Sequence, residues 1–198
     1  MNSAMKLGVV LLAAGRSERF GSNKLLADFC GKPMICRALE AMHAVSCEQS
    51  CVVTGCSEIA DLARAYGCGV IWNDSPQLGQ SHSICLGVSA MADMDAVLLL
   101  AGDQPRLTGE SLVRMISSFR ASDKGMACLR DETHMGNPAV FSKAYFSALT
   151  ALSGDRGAKG ILRAHENDLL VVSCLNQGEL ADADTPQALA AVQRADGK

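Results

Sequence analysis

Short apolar runs alternate along the chain with segments in which apolar residues recur at positions i, i+3, i+4 and i+7. The first pattern is typical of buried strands and the second of amphipathic helices. The helical stripes are Ile35, Ala38, Leu39 and Met42, then Ile59, Leu62, Ala63 and Tyr66, then Leu112, Met115, Ile116 and Phe119. We predict strands at Leu7–Ala14, Cys51–Gly55, Gly69–Asn73, Ala96–Gly102, Gly125–Leu129, Ala139–Ser142 and Leu169–Cys174.

This alternation predicts an α/β fold with a mainly parallel sheet and helices on both of its faces. The runs Leu7–Ala14 and Ala96–Gly102 are apolar on both faces, so we expect these two strands at the centre of the sheet. In sheets of this kind, ligands bind at the C-terminal ends of the central strands. The segments that follow these two strands are therefore the candidate site.

The polar segment Arg130–Asn137 interrupts the alternation. Its composition does not fit a helix or a buried strand. It predicts an inserted hairpin or a lid over the site.

Length and composition narrow the class of protein. A chain of 198 residues fits one domain, 1–198, and a hydrophobic share of 48% excludes a disordered chain. The 18 basic and 21 acidic residues give a net charge of -3, which gives no electrostatic support for non-specific nucleic-acid binding.

Membrane and secretion signals are not found in the sequence. The longest apolar runs fall far short of the roughly 20 residues that span a bilayer, and the N-terminus lacks the pattern of a signal peptide. The nine cysteines are an odd number without a CxxC pair, and the spacing of Cys47, Cys51 and Cys56 is not that of a zinc site. We therefore expect a cytoplasmic protein with reduced, structural thiols.

The segment after the first strand, Leu12–Lys24, combines glycines and small residues with cations. It matches neither GxGxxG nor the P-loop, but glycines let backbone N–H groups approach an anion, and Arg19 and Lys24 supply positive charge. Residues 6–37 hold six basic and two acidic residues in a chain that is acidic overall. The segment predicts a phosphate-binding loop, with an ordinary solvated turn as the alternative.

Asp103 follows the fourth strand directly, and a carboxylate at that position is suited to hold Mg²⁺ against the phosphates of a nucleotide. The alternative is an Asx turn leading into Pro105. A second acidic pair, Asp182 and Asp184, precedes Thr185 and Pro186, which we interpret as the N-cap and first residue of a helix. Either acid is a candidate to complete the metal site, and favourable charge at a helix start is the alternative.

Five motifs together resemble the molybdenum cofactor nucleotidyltransferases, in order and spacing, along nearly the whole chain. The first motif is shared by many nucleotidyltransferases, and the later ones are narrower. Ala13-Ala14-Gly15, where the guanylyl branch usually has two consecutive glycines, is similar to the cytidylyl branch. The motifs are Leu12-Ala13-Ala14-Gly15-x-Ser17-x-Arg19-Phe20-Gly21-x-x-Lys24, Gly102-Asp103-Gln104-Pro105, Gly136-Asn137-Pro138, Gly154-Asp155-Arg156-Gly157-Ala158-Lys159 and Asp182-x-Asp184-Thr185-Pro186.

The resemblance implies a Rossmann-like three-layer α/β sandwich and a set of roles. Arg19 and Lys24 would contact the triphosphate, Asp103 would hold Mg²⁺, and Asp184 is favoured over Asp182 as its partner. Gly154–Lys159 would belong to the acceptor side. The segment Gly79–Cys85 resembles the Ser-rich helix start of the family, although relatives commonly have a basic residue at the position of Cys85. Leu12, Ala13, Ala14, Gly15 and Ser81 would line the nucleotide pocket.

The predicted function is Mg²⁺-dependent transfer of CMP from CTP to molybdopterin, with release of pyrophosphate. Lys24, Arg19 and Asp103 are the predicted catalytic residues, and a molybdenum hydroxylase apoenzyme is a candidate recipient of the product. One alternative is the same chemistry with GTP or with a sugar or alcohol phosphate as acceptor. The other is a non-catalytic carrier of the finished cofactor, which would need neither Asp103 nor Lys24.

Overall fold

The computed structural model describes residues 5–15, 20–21 and 23–196. Most of the predicted strands and helices are present, with shifts of a few residues at their ends. The elements are β1 (Leu7–Leu12), β2 (Asp28–Phe29), β3 (Lys32–Pro33), α1 (Ile35–His43), β4 (Gln49–Thr54), α2 (Ser57–Ala65), β5 (Gly69–Trp72), α3 (Gln80–Ala90), β6 (Ala96–Ala101), α4 (Gly109–Arg120), β7 (Met126–Arg130), β8 (Met135–Ser142), α5 (Phe146–Thr150), α6 (Lys159–Ala164), β9 (Leu169–Ser173) and α7 (Pro186–Asp196).

The main sheet has the strand order β5-β4-β1-β6-β8-β7-β9. β1 lies between β4 and β6 and is parallel to both, so the predicted central pair is confirmed. β8 is antiparallel to both of its neighbours, β6 and β7, whereas the other pairings are parallel. β2 and β3 form a separate short hairpin that the apolar pattern did not predict.

Helices cover both faces of the sheet, which confirms the three-layer architecture. Along β1, Val9 and Leu11 pack into a core cluster with α1, α2, α4 and α7, whereas Val10 packs into a cluster with α3, α5 and α6. β6 is also buried on both faces, because Leu98 packs into the first cluster and Leu99 into the second. The site therefore lies at the ends of strands that are buried on both faces. Truncating one buried leucine of such a strand to alanine costs about 2–5 kcal/mol of stability.

α3 lies unusually close to the sheet, and this brings its N-terminus to the C-terminal edge of β1. The close approach depends on Gly87, because a Cβ at that position would overlap Cγ1 of Val10. Within the part of the chain that the structure describes, no helix is both long enough and apolar enough to cross a membrane.

The polar segment that follows β7 is a hairpin turn, as predicted. Asp131 closes this turn, because its Oδ1 accepts the N–H groups of Thr133 (2.9 Å) and His134 (2.7 Å). Burial alone would raise the pKa of Asp131, but these N–H groups and that of Leu180 hold it below its ordinary value. β8 starts at Met135 rather than at the predicted Ala139, so it carries residues 135–138 to the edge of the sheet where β6 ends.

Candidate active site

A cleft of about 740 Å³ opens at the C-terminal ends of β1 and β6. Its floor comes from the ends of these two strands, and one wall comes from the segment 76–80 that leads into α3. Of the described residues that line it, four are charged: Lys24, Asp103, Asp155 and Asp184. Lys24, Asp103 and Asp184 come from distant parts of the chain and are in direct contact. This is the edge of the sheet at which the sequence predicts ligand binding.

Lys24 lies between two carboxylates. Its Nζ is 2.7 Å from Oδ2 of Asp103 and 2.6 Å from Oδ1 of Asp184. The side chains of Lys24 and Asp103 are only 13% and 22% exposed, and that of Asp184 is 40% exposed. Solvent therefore screens the Lys24–Asp103 contact less than it screens an ordinary surface ion pair.

Burial lowers the pKa of the Lys24 ammonium, but the charges and hydrogen bonds of Asp103 and Asp184 raise it by more. The result is a pKa above the ordinary 10.5. Lys24 is therefore a fixed positive charge at neutral pH, held where an anionic group entering the cleft would meet it.

Local sequence fixes the position of Lys24. It starts a short 3₁₀ turn, Lys24–Leu26, whose N-terminus is capped by Asn23: the Asn23 Oδ1 accepts the N–H of Leu25 at 3.2 Å. The Leu25 side chain is 3% exposed and packs into the core cluster under α1. With the neighbouring residue anchored, the Lys24 side chain extends into the cleft.

Asp103 is held by backbone contacts on both sides. Gly102 donates its N–H to the carbonyl of Leu12 (3.2 Å), and the carbonyl of Asp103 accepts the N–H of Ala183 (2.9 Å). A Cβ at Gly102 would lie 2.8 Å from Cδ1 of Ile35, so the chain passes close to α1 at this point. These contacts bring the segment before α7 directly to the end of β6.

Asp182 and Asp184 both lie near Asp103 but line different cavities. The side chain of Ala183, between them, is fully buried in the core. Asp184 lines the main cleft and contacts Lys24, whereas Asp182 lines a neighbouring cavity of about 270 Å³. Asp182 is exposed at the rim of this cavity, but desolvation by the surrounding protein raises its pKa. The carboxylates of Asp103 and Asp184 add to this effect, and Gln104 and His134 oppose it.

Residues at the end of β1 and in the loop that follows it also have different surroundings. Leu12, Ala14 and Gly15 line the cleft. The Ala13 side chain is instead 3% exposed within the core, and the Ala13 backbone bonds to β4 through Val53 and Thr54. A steric role in the nucleotide pocket therefore falls to Ala14, and the expectation that the Ala13 methyl lines this pocket is corrected. Arg19, the other predicted phosphate ligand, lies outside the described residues.

Ser81 is buried and ties the start of α3 to the loop that carries Gly154. Its Oγ donates to the Gly154 carbonyl at 2.6 Å, and its neighbours Gln80 and Ser83 line the cleft. Cys85, one turn further along α3, is not among the residues that line either cavity. The position at which the family resemblance leads us to expect a basic residue therefore does not line either cavity, whose described cations are Lys24 and Lys159.

The second cavity shares Asp103 and Gln80 with the main cleft and extends toward the β7–β8 hairpin. His134 and Asn137 line it from the hairpin side, and Lys159 lines it from the start of α6. His134 was not a candidate from the sequence, because its spacing to other ligand residues has no pattern. Only the pairing of β8 with β6 brings it near Asp103.

The donor set fits a divalent cation. Oδ2 of Asp103 and Oδ1 of Asp184 both contact Nζ of Lys24, so the two carboxylates face the same part of the cleft. Mg²⁺ is commonly held by one or two carboxylates together with substrate phosphates. Among residues 5–15, 20–21 and 23–196, no group of three or more His, Cys, Asp or Glu side chains is arranged to hold a metal. Asp103 and Asp184 would therefore share the ion with phosphate oxygens.

Comparison with known families places the chain. A family model described as "MobA-like NTP transferase domain" matches residues 9–169. The match includes most of β1, all of β6 and the loops that follow them. This chain is a MobA-like NTP transferase. The resemblance to molybdenum cofactor nucleotidyltransferases is thereby confirmed, and so is nucleotidyl transfer as the class of reaction.

Curated relatives of this MobA-like NTP transferase differ in name and in length. The purine catabolism protein PucB of Bacillus subtilis is 28% identical over 98% of this chain and 99% of its own length. A probable molybdenum cofactor guanylyltransferase of Pyrococcus horikoshii is 30% identical over 79% of this chain and 78% of its own. The bifunctional protein GlmU of Rhizorhabdus wittichii is 34% identical over 60% of this chain, which spans only 27% of that longer protein.

Solved structures show the same fold. A nucleotidyl transferase from Methanothermobacter thermautotroptrophicus superposes with a TM-score of 0.81 at 22% identity, and the match covers 98% of each chain. A manganese complex of Rv0371c from Mycobacterium tuberculosis superposes with a TM-score of 0.75 at 21% identity, over 97% of this chain and 100% of that one. At these identities the comparison establishes the Rossmann-like architecture of the MobA-like NTP transferase.

Proposed function

We propose that this MobA-like NTP transferase transfers CMP from CTP to molybdopterin, with Mg²⁺ as the cofactor. The observation that carries the proposal is the meeting of Lys24, Asp103 and Asp184 in one cleft at the ends of the two central strands. This combination supplies a cation for a bound triphosphate and carboxylate oxygens for the Mg²⁺ that would accompany it.

In the proposed reaction, a phosphate oxygen of the acceptor attacks the α-phosphorus of CTP in line, and pyrophosphate leaves. Lys24 stabilises the negative charge on the α-phosphate oxygens, and Arg19 holds the departing pyrophosphate. Asp103 and Asp184 would hold the Mg²⁺, which neutralises phosphate charge when bound. Catalysis then consists of positioning and charge stabilisation, and no general base is required because the attacking oxygen is already ionised.

The preference for CTP is supported by the first loop. The Ala14 methyl group lines the cleft at a position where the guanylyl branch usually has glycine, and a methyl group narrows the space available to a purine. The Pyrococcus relative, by its name, is a guanylyltransferase, so GTP is the competing donor.

Molybdopterin as the acceptor is supported by the family resemblance and by the second cavity. This cavity of about 270 Å³ adjoins Asp103 on the side away from the cleft and carries a cation, Lys159, suited to a phosphate group. A molybdenum hydroxylase apoenzyme is the proposed recipient of the product.

The test is a competition among CTP, GTP, ATP and UTP, with molybdopterin as the acceptor and pyrophosphate release as the measurement. We expect the highest kcat/KM with CTP, and no release when Asp103→Asn replaces the wild type. A higher kcat/KM with GTP would contradict the choice of donor. Faster release with a sugar or alcohol phosphate than with molybdopterin would contradict the choice of acceptor. Binding of finished cofactor without any release would favour the carrier alternative.

A further inference from the structure

The acidic residues of the site come from segments far apart in the sequence, and one buried amide joins these segments. Gln104 is 3% exposed and directly follows Asp103. Its Nε2 donates to the carbonyl of Asn137 at 3.3 Å and to the carbonyl of Leu180 at 3.2 Å. Its Oε1 accepts from Nδ2 of Asn137 at 3.2 Å. Both amide hydrogens and the amide oxygen therefore have partners.

Each partner belongs to a different part of the site. Asn137 is on β8 and lines the second cavity, and it is separated from Gln104 by 33 residues. Leu180 begins the segment that ends at Asp184 and is separated from Gln104 by 76 residues. The backbone bond from Ala183 to Asp103 continues the same junction. The Gln104 amide thus lies where the end of β6, the start of β8 and the segment before α7 meet.

Only a glutamine satisfies this junction. The carbonyls of Asn137 and Leu180 need hydrogen-bond donors, and the side-chain N–H of Asn137 needs an acceptor. Methionine has a similar size but forms none of these three strong hydrogen bonds, and an ionised glutamate has no donor for the carbonyls. A buried carbonyl that loses its partner is destabilising, so its segment is expected to shift toward water or toward another donor. A shift of residues 180–184 would carry Asp184 away from Asp103.

We propose that Gln104 is a positioning residue for nucleotidyl transfer, which sets the separation of Asp103 and Asp184 by holding residues 180–184 against the end of β6. The proposal depends on the assignment of these two acids to the metal, and not on the choice of CTP or molybdopterin. Although it lines the second cavity, Gln104 does not line the main cleft, in which Asp103 and Asp184 contact Lys24. Its effect is exerted through the segments that it joins.

The test compares Gln104→Met with a matched control, Tyr145→Phe. Tyr145 donates a 2.6 Å hydrogen bond to Asp168 at the opposite end of the sheet, so its replacement removes a hydrogen bond without touching the junction. Binding of Mn²⁺ to the protein alone is measured by electron paramagnetic resonance, beside thermal unfolding and steady-state kinetics. We expect Gln104→Met to weaken Mn²⁺ binding at least tenfold. We also expect kcat to fall by about 100-fold, the scale of a 1 Å misplacement, with a smaller change in KM for the nucleotide. Tyr145→Phe should leave both Mn²⁺ affinity and kcat unchanged.

Unchanged Mn²⁺ affinity and kcat in folded Gln104→Met would overturn the proposal. Losses of Mn²⁺ affinity and kcat that follow the unfolded fraction and occur equally in Tyr145→Phe would also overturn it. A wild-type protein that binds no Mn²⁺ would do the same. If Gln104→Met does not fold, Asn137→Ala takes its place, because it removes one bond of the junction and keeps Gln104. Wild-type Mn²⁺ affinity in folded Asn137→Ala would then count against the proposal.

Discussion

Replacing Lys24 with Met removes the only cation that the described contacts place between Asp103 and Asp184, and leaves two carboxylates facing each other. An exposed ion pair contributes about 0.2–1 kcal/mol, and breaking a buried one costs about 3–5 kcal/mol. At 13% exposure for Lys24, and 22% and 40% for its partners, the contacts lie between these limits. We expect a loss of roughly 2 kcal/mol in the free energy of unfolding at neutral pH, a drop of about 4–8 °C in Tm for a chain of this size.

The pH dependence of this loss follows from the raised pKa of Lys24. The stabilisation is complete at pH values below the ordinary 10.5 and is lost as pH rises through the higher pKa of the folded protein. The Tm difference between wild type and Lys24→Met should therefore hold from neutral pH up to the ordinary 10.5 and shrink as the pH rises further.

A divalent cation should rescue the variant. Without the ammonium, the two carboxylates lose the cation that the described contacts place between them, so Mg²⁺ meets one competing charge fewer. A ligand that binds only the folded state raises Tm. Mg²⁺ should therefore raise the Tm of Lys24→Met more than that of the wild type, as measured by scanning calorimetry. The control is Lys32→Met, which breaks a surface contact with Glu40 and should show a small shift without a response to Mg²⁺. If Lys24→Met melts at the wild-type temperature and gains no more from Mg²⁺, Lys24 does not neutralise this pair.

Three further predictions concern the cleft. Asp103→Asn should nearly abolish metal-dependent pyrophosphate release while the circular dichroism spectrum stays that of the wild type, and retained release would remove Asp103 from the metal site. Ala14→Gly should raise kcat/KM for GTP relative to CTP, whereas Ala13→Gly, in the core, should lower Tm without moving this ratio; equal ratios in both variants would refute the steric argument. The pKa of Asp182 is raised, so its ionised form disfavours folding at neutral pH. Asp182→Asn should therefore raise Tm at neutral pH and lose this gain as the pH falls toward 3.8, the ordinary pKa of the carboxyl group. A Tm gain that is independent of pH would show that the gain has another cause.

Local patterns in the sequence predicted most strands of the main sheet and the start of α7. Thr185 caps α7 as expected, because its Oγ accepts the N–H of Ala188 at 3.1 Å and the helix begins at Pro186. Thr108 caps α4 in the same way, accepting the N–H of Ser111 at 3.2 Å. Such bonds span three residues, so the residues that determine them stand together in the sequence.

The order of the strands could not be predicted in this way. β8 inserts antiparallel between β6 and β7, and an apolar run does not specify its neighbour. The roles of His134 and Gln104 depend on that insertion. Gln104 stands in one of the five motifs, but no local pattern indicates which groups it contacts, and His134 stands in none. Asp182 and Asp184 could be predicted as a pair, but their distribution between two cavities depends on the burial of Ala183 against the core.

The bond between Lys24 and Asp184 joins residues 160 positions apart, and this separation has a consequence for the order of folding. Contacts between distant residues form late, because a long loop must close before they are made. All the strands of the sheet end by residue 173, so the sheet can pair before the segment 180–184 arrives. During synthesis, a chain whose sheet has already formed still lacks Asp184, one of the two carboxylates in contact with Lys24. We therefore expect the site to be completed last, when α7 docks, and activity to appear only at that step.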